Sequence, residues 1–397
     1  MPRITLVTGQ WKQLVLVVLI GANLRPFLTA PGPILTDIVT DTGMGYPSLA
    51  MLTLLPMLLM GIGAFVAPGI QAVVGTRRGI LAALAVLTAG SLLRSVAFGS
   101  AWLVLTAALC GAGVAFIQAA FPGIIKEKFP KTIPIVTGLY SCMIMGGGAL
   151  GARLTPVLVN SGYSWRLALA SMAVPAVFAL CAAYWAASDT KAVKPDSSLT
   201  RRLLRRPRTW ALMAAFGLVN AGYSSMVAWL APYYQAAGLS NSQSGNLVAV
   251  MAIAQAASAL VLPTLARRNV DRRPWLWTTL VLQAAGFLGL AVVPLAFPAL
   301  WVGICGAGLG GSFALAIVTA LDHLDRPEQA GALVALMQGG GFLIAATGPF
   351  AAALLGNWSG SFASAWVMHL ACVTITFFIY ARFRPERYGE VFRPLLA

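Results

Sequence analysis

Long apolar runs separated by short polar loops dominate the chain. Twelve of these runs approach the ~20 residues that a helix needs to cross ~30 Å of hydrocarbon. None alternates with the period of two that marks a barrel strand, and each is about twice the length of such a strand. The pattern predicts twelve transmembrane helices, at 12–36, 48–72, 79–96, 101–126, 132–159, 164–187, 209–234, 243–265, 275–293, 298–321, 331–356 and 362–382.

The order of short motifs indicates that the second half of the chain repeats the first. GGGALGARLTP at 146–156 returns as GGGFLIAATGP at 339–349, and CGAG at 110–113 returns 195 residues later. Such a repeat is typical of two helical bundles related by an axis along the membrane normal, with a binding site between them near the midplane. The predicted units are an N-terminal six-helix bundle, 1–187, a linker, 188–209, and a C-terminal six-helix bundle, 210–397.

Composition and charge agree with an all-α integral membrane protein. Hydrophobic residues make up 59% of the 397 residues and charged residues only 10%, too few to cover a soluble surface. Of the 27 Lys and Arg residues, 23 fall on one predicted face, which the positive-inside rule makes cytoplasmic together with both termini. The net charge of +16 therefore reflects topology, with attraction to anionic membrane lipids as a side effect, and nucleic-acid binding is not expected.

Arg25 is the most informative single residue. It lies 13 residues after Lys12 and 12 before Asp37, about 18–20 Å from either end of its helix and beyond the reach of snorkelling. Burying an arginine there costs about 2.5–3.5 kcal/mol on insertion scales. All eleven Asp and Glu residues lie in loops or at helix ends, so no carboxylate is available to pair with it. An arginine without a fixed counter-ion favours an anion-binding site.

A structural role for Arg25 is the alternative. Its guanidinium would then be satisfied by carbonyls freed by Pro26, Pro31 and Pro33, or by the amide of Asn23. Asn23 is also a candidate ligand of the substrate.

The repeat offset suggests partners for Arg25 in the other half. Adding 195 residues gives Asn220, and Tyr223 follows one turn later in the seventh predicted helix. Both could orient a small ligand, or could form only an interhelical hydrogen bond. Further buried amides are candidates for the same site, and Gln338 ranks first because it adjoins the second GGG run; the three are Gln118, Gln255 and Gln338.

The two GGG-x7-P runs are candidates for motion. We expect Gly147 and Gly340 to form moving packing surfaces at the interface between the bundles, with bulk there stopping the motion but sparing the fold. Pro156 and Pro349 would permit bending. Static packing is the alternative reading of these glycines.

Two further polar residues leave their roles open. Arg153 could add positive potential to the site or lie at a helix border, and His369 could relay protons or simply pack. Because no acidic residue lies at mid-depth, we expect little coupling to protons.

Several motifs carry a family resemblance: NLRP at 23–26, PGIIKEKFP at 122–130, VNAGYSSMVAWLAPYY at 219–234, ALDH at 320–323 and MQGGGF at 337–342. With these motifs the chain resembles the cyanate transporter family of the major facilitator superfamily, a group that also includes 2-nitroimidazole transporters. The likeness runs essentially end to end and is greatest to the cyanate-transporting members.

The resemblance implies the major facilitator fold, a bacterial inner membrane, cyanate as substrate and a functional link to a cytoplasmic cyanate-degrading enzyme. In one place the chain departs from the superfamily. The segment 68–78, PGIQAVVGTRR, lacks the acidic residue that normally follows the second helix and helps to latch the cytoplasmic gate.

The predicted function is secondary transport of a small anion by alternating access, with Arg25 as the anion ligand. One alternative is an exporter of small neutral heterocycles such as 2-nitroimidazole, with Phe116, Tyr223 and Trp229 as stacking surfaces. A membrane-embedded enzyme is a further alternative, but it would need a nucleophile with a base or a metal cluster. The two histidines, His323 and His369, form no such group, so no enzyme activity, metal or cofactor is expected.

Overall fold

A computed structural model of the protein describes residues 10–187 and 197–392. All regular secondary structure in these residues is helical. Twelve helical segments are long and apolar enough to cross a membrane. The prediction of an all-α protein with twelve membrane spans is therefore confirmed. The spans are Gln10–Thr42, Met51–Val74, Thr76–Val96, Ser100–Lys128, Ile133–Asn160, Trp165–Ala186, Pro207–Ala236, Ser242–Ala266, Arg273–Val292, Pro298–Asp322, Pro327–Ser359 and Ala363–Ala381.

Most spans are single helices, whereas the first consists of α1 to α3 and the sixth of α8 and α9. The helices are α1 (Gln10–Asn23), α2 (Pro26–Thr29), α3 (Leu35–Thr42), α4 (Tyr46–Val74), α5 (Thr76–Leu92), α6 (Ser100–Lys128), α7 (Ile133–Asn160), α8 (Trp165–Ala170), α9 (Ala173–Ala186), α10 (Ser197–Leu204), α11 (Pro207–Ala236), α12 (Asn241–Ala266), α13 (Arg273–Val292), α14 (Pro298–Asp322), α15 (Pro327–Ser359), α16 (Ala363–Ala381) and α17 (Tyr388–Phe392).

The first span is broken rather than continuous as predicted. α1 ends at Asn23, α2 begins at Pro26, and a 3₁₀ turn, Gly32–Ile34, precedes α3. Prolines cause the break, because each lacks an N–H and clashes with the carbonyl of the preceding turn. Two side chains bond carbonyls in this region: Arg94 donates from Nη1 to the Phe27 oxygen at 3.0 Å, and Thr155 donates from Oγ1 to the Ala30 oxygen at 2.9 Å.

The first six and the last six spans, here the N-terminal and C-terminal halves, meet through pairs of helices. α7 packs along α12, and α4 packs along α15, with α6 against α15 and α7 against α14 as further contacts. Residues 188–196 of the predicted linker lie outside the described residues. The rest of that linker forms α10, which Thr209 and Trp210 tie to α11 by hydrogen bonds to the carbonyls of Leu203 and Leu204.

Hydrogen bonds between helix ends bring many basic residues to one end of the molecule. Arg77 bonds the carbonyl of Tyr184, Arg208 bonds that of Arg382, and Lys126 bonds that of Leu321. We call this end, which carries Arg77, Lys126, Arg208 and Arg272, the basic face. The opposite face carries the ion pair between Arg166 and Asp41, at 2.6 Å.

Gly147 and Gly340 each lie at a helix contact within their own half, which corrects their predicted location between the bundles. A Cβ at Gly147 would lie 2.0 Å from the Ala22 carbonyl oxygen of α1, and one at Gly340 would lie 2.6 Å from the Met213 sulfur of α11. Gly339, in contrast, faces the other half, since its Cβ would lie 3.1 Å from the Gly61 oxygen of α4. Successive helical residues point about 100° apart, so one GGG run can serve different neighbours. Pro156 and Pro349 lie inside α7 and α15, and their role in bending stays a prediction.

We expect Gly147→Ala to destabilise the folded protein by about 1–3 kcal/mol, the usual cost of overpacking. The added methyl meets a backbone carbonyl, so α1 and α7 must separate, and we expect bulk at Gly147 to disturb the fold rather than spare it. Thermal unfolding of the purified protein in detergent measures the effect. Gly146→Ala is the matched control, because nothing lies within 4 Å of the methyl there. Equal melting temperatures for the two variants would contradict the prediction.

Candidate functional site

Arg25 lies in the break of the first span, between α1 and α2, and its side chain is completely buried, with 0% exposure. Its three side-chain nitrogens have no hydrogen-bond partner among the described residues. The alternative in which Asn23 or freed carbonyls satisfy it is therefore wrong. Asn23 instead donates its amide to the carbonyls of Leu19 and Pro175, at 2.8 and 3.1 Å. These bonds hold α1 against the start of α9, so Asn23 supports the break.

Three aromatic rings surround the guanidinium, and we call them the aromatic cage: Tyr223, Phe313 and Phe342. The Arg25 Cζ lies 4.7 Å from the ring centroid of Tyr223, 6.0 Å from that of Phe313 and 5.9 Å from that of Phe342. Desolvated cation–π contacts of this kind contribute about 2 kcal/mol or more. The rings come from α11, α14 and α15, all in the C-terminal half, whereas Arg25 belongs to the N-terminal half. The site therefore lies between the two halves.

The glycines of α7 explain how Arg25 reaches this position. Cβ atoms built at Gly148 and Gly151 would lie 3.4 Å from the Arg25 Cβ and 2.8 Å from the Pro26 carbonyl oxygen. α7 can thus press directly against the broken segment. Thr29 then fixes the segment by donating from Oγ1 to the Gly148 oxygen at 2.8 Å. Ser224, which is 195 residues further on, makes the corresponding bond from α11 to the Ala345 oxygen of α15, at 2.7 Å.

Buried donors without partners accompany Arg25. The Tyr140 hydroxyl of α7 has no hydrogen-bond partner among the described residues, and Arg25 is close enough to act on it electrostatically. The amide nitrogens of Gln118 and Gln338 are likewise buried without partners. A buried polar group left unpaired costs about 1–3 kcal/mol, so each of these groups calls for an explanation.

Helix geometry relates both amides to residues near Arg25. Gln338 lies one turn before Phe342 on α15, and residues four apart share a helix face. Gln118 lies three residues before Phe121 on α6, whose ring stacks on Tyr140 with centroids 5.4 Å apart. A ligand that accepts hydrogen bonds would satisfy donors on both faces, and an anion would also balance Arg25.

The other predicted site residues make protein contacts of their own. Asn220 is buried one turn before Tyr223 and donates to the Phe216 carbonyl of its own helix, at 2.8 Å. Trp229 donates from Nε1 to the Pro349 oxygen at 2.8 Å and packs against Phe362 rather than in the cage. The ring of Phe116, a stacking candidate, instead packs against Gly79 of α5.

Arg153 and His369 lie in separate surroundings. Arg153 donates from Nη1 to Oδ1 of Asn246, at 3.0 Å, and so joins α7 to α12. It lines a cavity of about 80 Å³ that also includes Asp37, towards the face opposite the basic one. His369 stacks on Phe287 with ring centroids 5.3 Å apart, and neither ring nitrogen has a partner among the described residues.

Lys126 joins the two halves at the basic face. Its ammonium donates to the carbonyl oxygens of Leu321 and Leu324, each at 2.5 Å, at the C-terminal end of α14. One turn before Lys126, α6 also approaches the start of α15, where a Cβ at Gly331 would lie 3.0 Å from the Gly123 Cα. A cation at a helix C-terminus also interacts favourably with the helix dipole. The basic face is therefore closed at this point.

Four of these residues, Tyr140, Phe313, Phe342 and Lys126, are absent from the sequence predictions. Phe313 is 195 residues after Gln118, so the repeat offset could have indicated it. Tyr140 and Phe342 carry no such signal, because aromatic residues are common in apolar spans. Lys126 counted only as one of many topological charges.

His323 follows α14 at the basic face and is buried by the C-terminal segment. Its ring stacks on that of Tyr388, with centroids 3.7 Å apart, and Nδ1 lies 2.6 Å from the Thr319 carbonyl oxygen. The pKa of His323 is lowered to about 3, mainly by burial; the Thr319 hydrogen bond acts in the opposite direction, and nearby Arg208 makes a smaller lowering contribution. The folded protein therefore holds this imidazole neutral.

We expect His323 to make folding less stable at low pH. Its folded pKa lies below the unfolded value of 6.5, so the stabilisation is complete above pH 6.5 and is lost as the pH falls towards 3. In that window the free energy of unfolding should fall by about 1.4 kcal/mol per pH unit from this group. Melting temperatures of the parent and of His323→Gln between pH 7.5 and 4.5 measure it. A variant that loses as much stability as the parent would show that His323 is not responsible.

Comparisons with known proteins agree with this architecture. The profile described as Major Facilitator Superfamily matches residues 18–326 and 238–395. The chain is 41% identical over 381 residues to the cyanate transport protein of Escherichia coli (strain K12), covering 95% of this chain and 98% of that protein. It is 28% identical over 365 residues to the 2-nitroimidazole transporter of the same organism, covering 90% of both chains.

Solved structures share the fold at low sequence identity. A proton:xylose symporter superposes with a TM-score of 0.80 at 12% identity, covering 94% of this chain and 96% of that one. A fucose:proton symporter of Escherichia coli superposes with a TM-score of 0.68 at 13% identity, covering 94% of this chain and 98% of that one.

Proposed function

The chain belongs to the Major Facilitator Superfamily, and from that premise we propose that it moves cyanate across the bacterial inner membrane by alternating access. Like its relatives, it is a multi-pass membrane transporter and not an enzyme. The relative that is 41% identical is a cyanate transport protein, which supports cyanate as the substrate.

Arg25 is the observation that carries the proposal. A completely buried guanidinium with three unpaired nitrogens needs a compensating anion, because the cost of an uncompensated buried charge is several kcal/mol. Cyanate has one negative charge and accepts hydrogen bonds at both ends. It would accept them from Arg25, with Tyr140, Gln118 and Gln338 as further donors and Tyr223 beside it. Asn23 holds α1 against α9, and Trp229 fixes α11 to α15.

Alternating access follows from the way the site is divided. Arg25 belongs to the N-terminal half and the aromatic cage to the C-terminal half, so an anion between them contacts both. At the basic face, which we take as cytoplasmic together with both termini, the Lys126 contact must break for the site to open. At the opposite face the bond between Arg153 and Asn246 must break. Opening each contact in turn exposes the site to one side at a time.

Two partners complete the proposal. The exposed arginines of the basic face would interact with anionic lipids of the inner leaflet. A cytoplasmic cyanate-degrading enzyme would consume the imported anion and so keep the gradient favourable.

A second candidate is export of small neutral heterocycles. The aromatic cage and the relative that transports 2-nitroimidazole favour it. A neutral ring would stack on Tyr223 but would leave the charge of Arg25 without an anion.

Proteoliposomes containing the purified protein test the two candidates. We expect labelled cyanate to enter by counterflow, faster than in protein-free vesicles, and unlabelled cyanate to compete. Labelled 2-nitroimidazole is assayed in parallel in the same vesicles. Efflux of 2-nitroimidazole without any cyanate counterflow would replace the first candidate with the second.

A further inference from the structure

The site around Arg25 offers one positive charge in apolar surroundings. The other buried arginine of the N-terminal half, Arg94, already donates to the Phe27 carbonyl. Carboxylates of the described residues lie at helix ends or in loops, well away from mid-depth. The site is therefore balanced by a single negative charge, and a divalent anion would leave one charge uncompensated at high cost.

The walls of the site decide which monoanion can enter. Tyr223, Phe313 and Phe342 present ring faces to the guanidinium, and Phe216 packs behind Phe313 and Phe342 with ring centroids 5.5 and 5.4 Å away. An anion that binds here must give up nearly all of its water. It receives in exchange a small number of donors, namely the guanidinium, the Tyr140 hydroxyl and the glutamine amides.

Dehydration cost then dominates selectivity, since the gain from Arg25 is similar for every small monoanion. A guanidinium is itself weakly hydrated, so it pairs best with an anion that loses little on leaving water. Strongly hydrated anions lose more in dehydration than the few donors return. Size cannot produce the same order, because fluoride is strongly hydrated yet smaller than cyanate.

We propose that this site selects weakly hydrated monoanions as a class and transports thiocyanate and azide as well as cyanate, while excluding fluoride, bicarbonate and sulfate. The inference rests on the proposed function, since it assigns the substrate class of the same site. Selectivity should follow hydration and not size. The cage is thus a selectivity element in addition to its contact with the arginine.

Competition in proteoliposomes tests the proposed order of anion selectivity. Labelled cyanate counterflow is measured against potassium thiocyanate, azide, fluoride and bicarbonate at equal ionic strength and pH, with protein-free vesicles as the blank for passive leak. We expect thiocyanate and azide to inhibit at concentrations at least tenfold lower than fluoride or bicarbonate. Labelled thiocyanate should itself be taken up by counterflow. Equal inhibition by fluoride and thiocyanate, with cyanate transport intact, would overturn the inference and leave the proposed function standing.

Thermal stabilisation of the purified protein gives an answer that does not depend on cyanate transport. Thiocyanate weakens folded proteins in general, so the readout is the melting temperature of the parent minus that of Arg25→Ala at each anion concentration. We expect this difference to rise with thiocyanate and azide but not with fluoride. If this difference stays constant for thiocyanate, azide, fluoride and bicarbonate alike, the inference is overturned even if cyanate is not transported.

A cage variant tests the cause of the order. Phe342→Gln makes one wall polar and should reduce the ratio of the inhibitory concentrations of fluoride and thiocyanate by several fold. Phe342→Leu keeps the wall apolar and should preserve that ratio. If the melting curve shows that Phe342→Gln is folded and this ratio is unchanged, the cage does not set selectivity.

Discussion

Arg25→Ala is expected to abolish cyanate binding and transport while leaving the protein folded. Removing one partner of a buried charge pair typically costs about 2–5 kcal/mol, which corresponds to at least about a 30-fold loss of affinity. The fold should tolerate the change, because losing the cation–π contacts of Arg25 is offset by removing a buried charge that has no hydrogen bond to a described residue. Binding is measured by competition with labelled cyanate, and folding by thermal unfolding.

Two other variants sharpen the test. Arg25→Lys keeps the charge but loses the planar fork of donors, so its affinity for cyanate should lie between that of the parent and that of Arg25→Ala. Arg94→Met removes the other buried arginine, which holds the Phe27 carbonyl, and should lower the melting temperature where Arg25→Ala does not. If Arg25→Ala binds cyanate as tightly as the parent, Arg25 is not the anion ligand.

The number and approximate positions of the membrane spans were predictable because they depend on the lengths of apolar runs alone. The break in the first span was not predicted, since a hydropathy pattern does not register where prolines interrupt the hydrogen bonds of a helix. That break matters for the site. It places Arg25 between two short helices, where its side chain reaches the other half of the molecule instead of following one helix axis.

The site itself was only partly predictable. The repeat offset led to Asn220 and hence to Tyr223, whose ring lies 4.7 Å from the Arg25 Cζ. Phe313 and Phe342 come from α14 and α15, and only the tertiary packing brings them to the same point. The predicted location of Gly147 and Gly340 was wrong for a geometric reason. Neighbouring residues of a helix face different directions, and a GGG run does not reveal which helix each glycine contacts.

Lys126→Met is expected to shift the protein towards a state that is open at the basic face. The variant keeps most of the apolar stem but loses both bonds to the end of α14, and hydrogen bonds from charged groups contribute about 1.5–3 kcal/mol. Loss of even one such contribution shifts the balance of open and closed states by at least about tenfold. The segment 68–78 after the second span has no acidic residue, and Lys126, at the end of the fourth span, provides a closing contact between the halves at the same face.

Labelling of a single cysteine measures this shift. Gly123→Cys is introduced after the five native cysteines are replaced, because a Cβ there would lie 3.5 Å from the Gly331 Cα and is covered when the face is closed. A membrane-impermeant maleimide, applied from the basic side, should react at least tenfold faster when Lys126 is methionine. Lys128→Met is the matched control, since Lys128 pairs with Glu127 of its own helix, at 3.3 Å. If Lys126→Met and Lys128→Met are labelled at the same rate, the bonds of Lys126 to α14 do not hold the basic face closed.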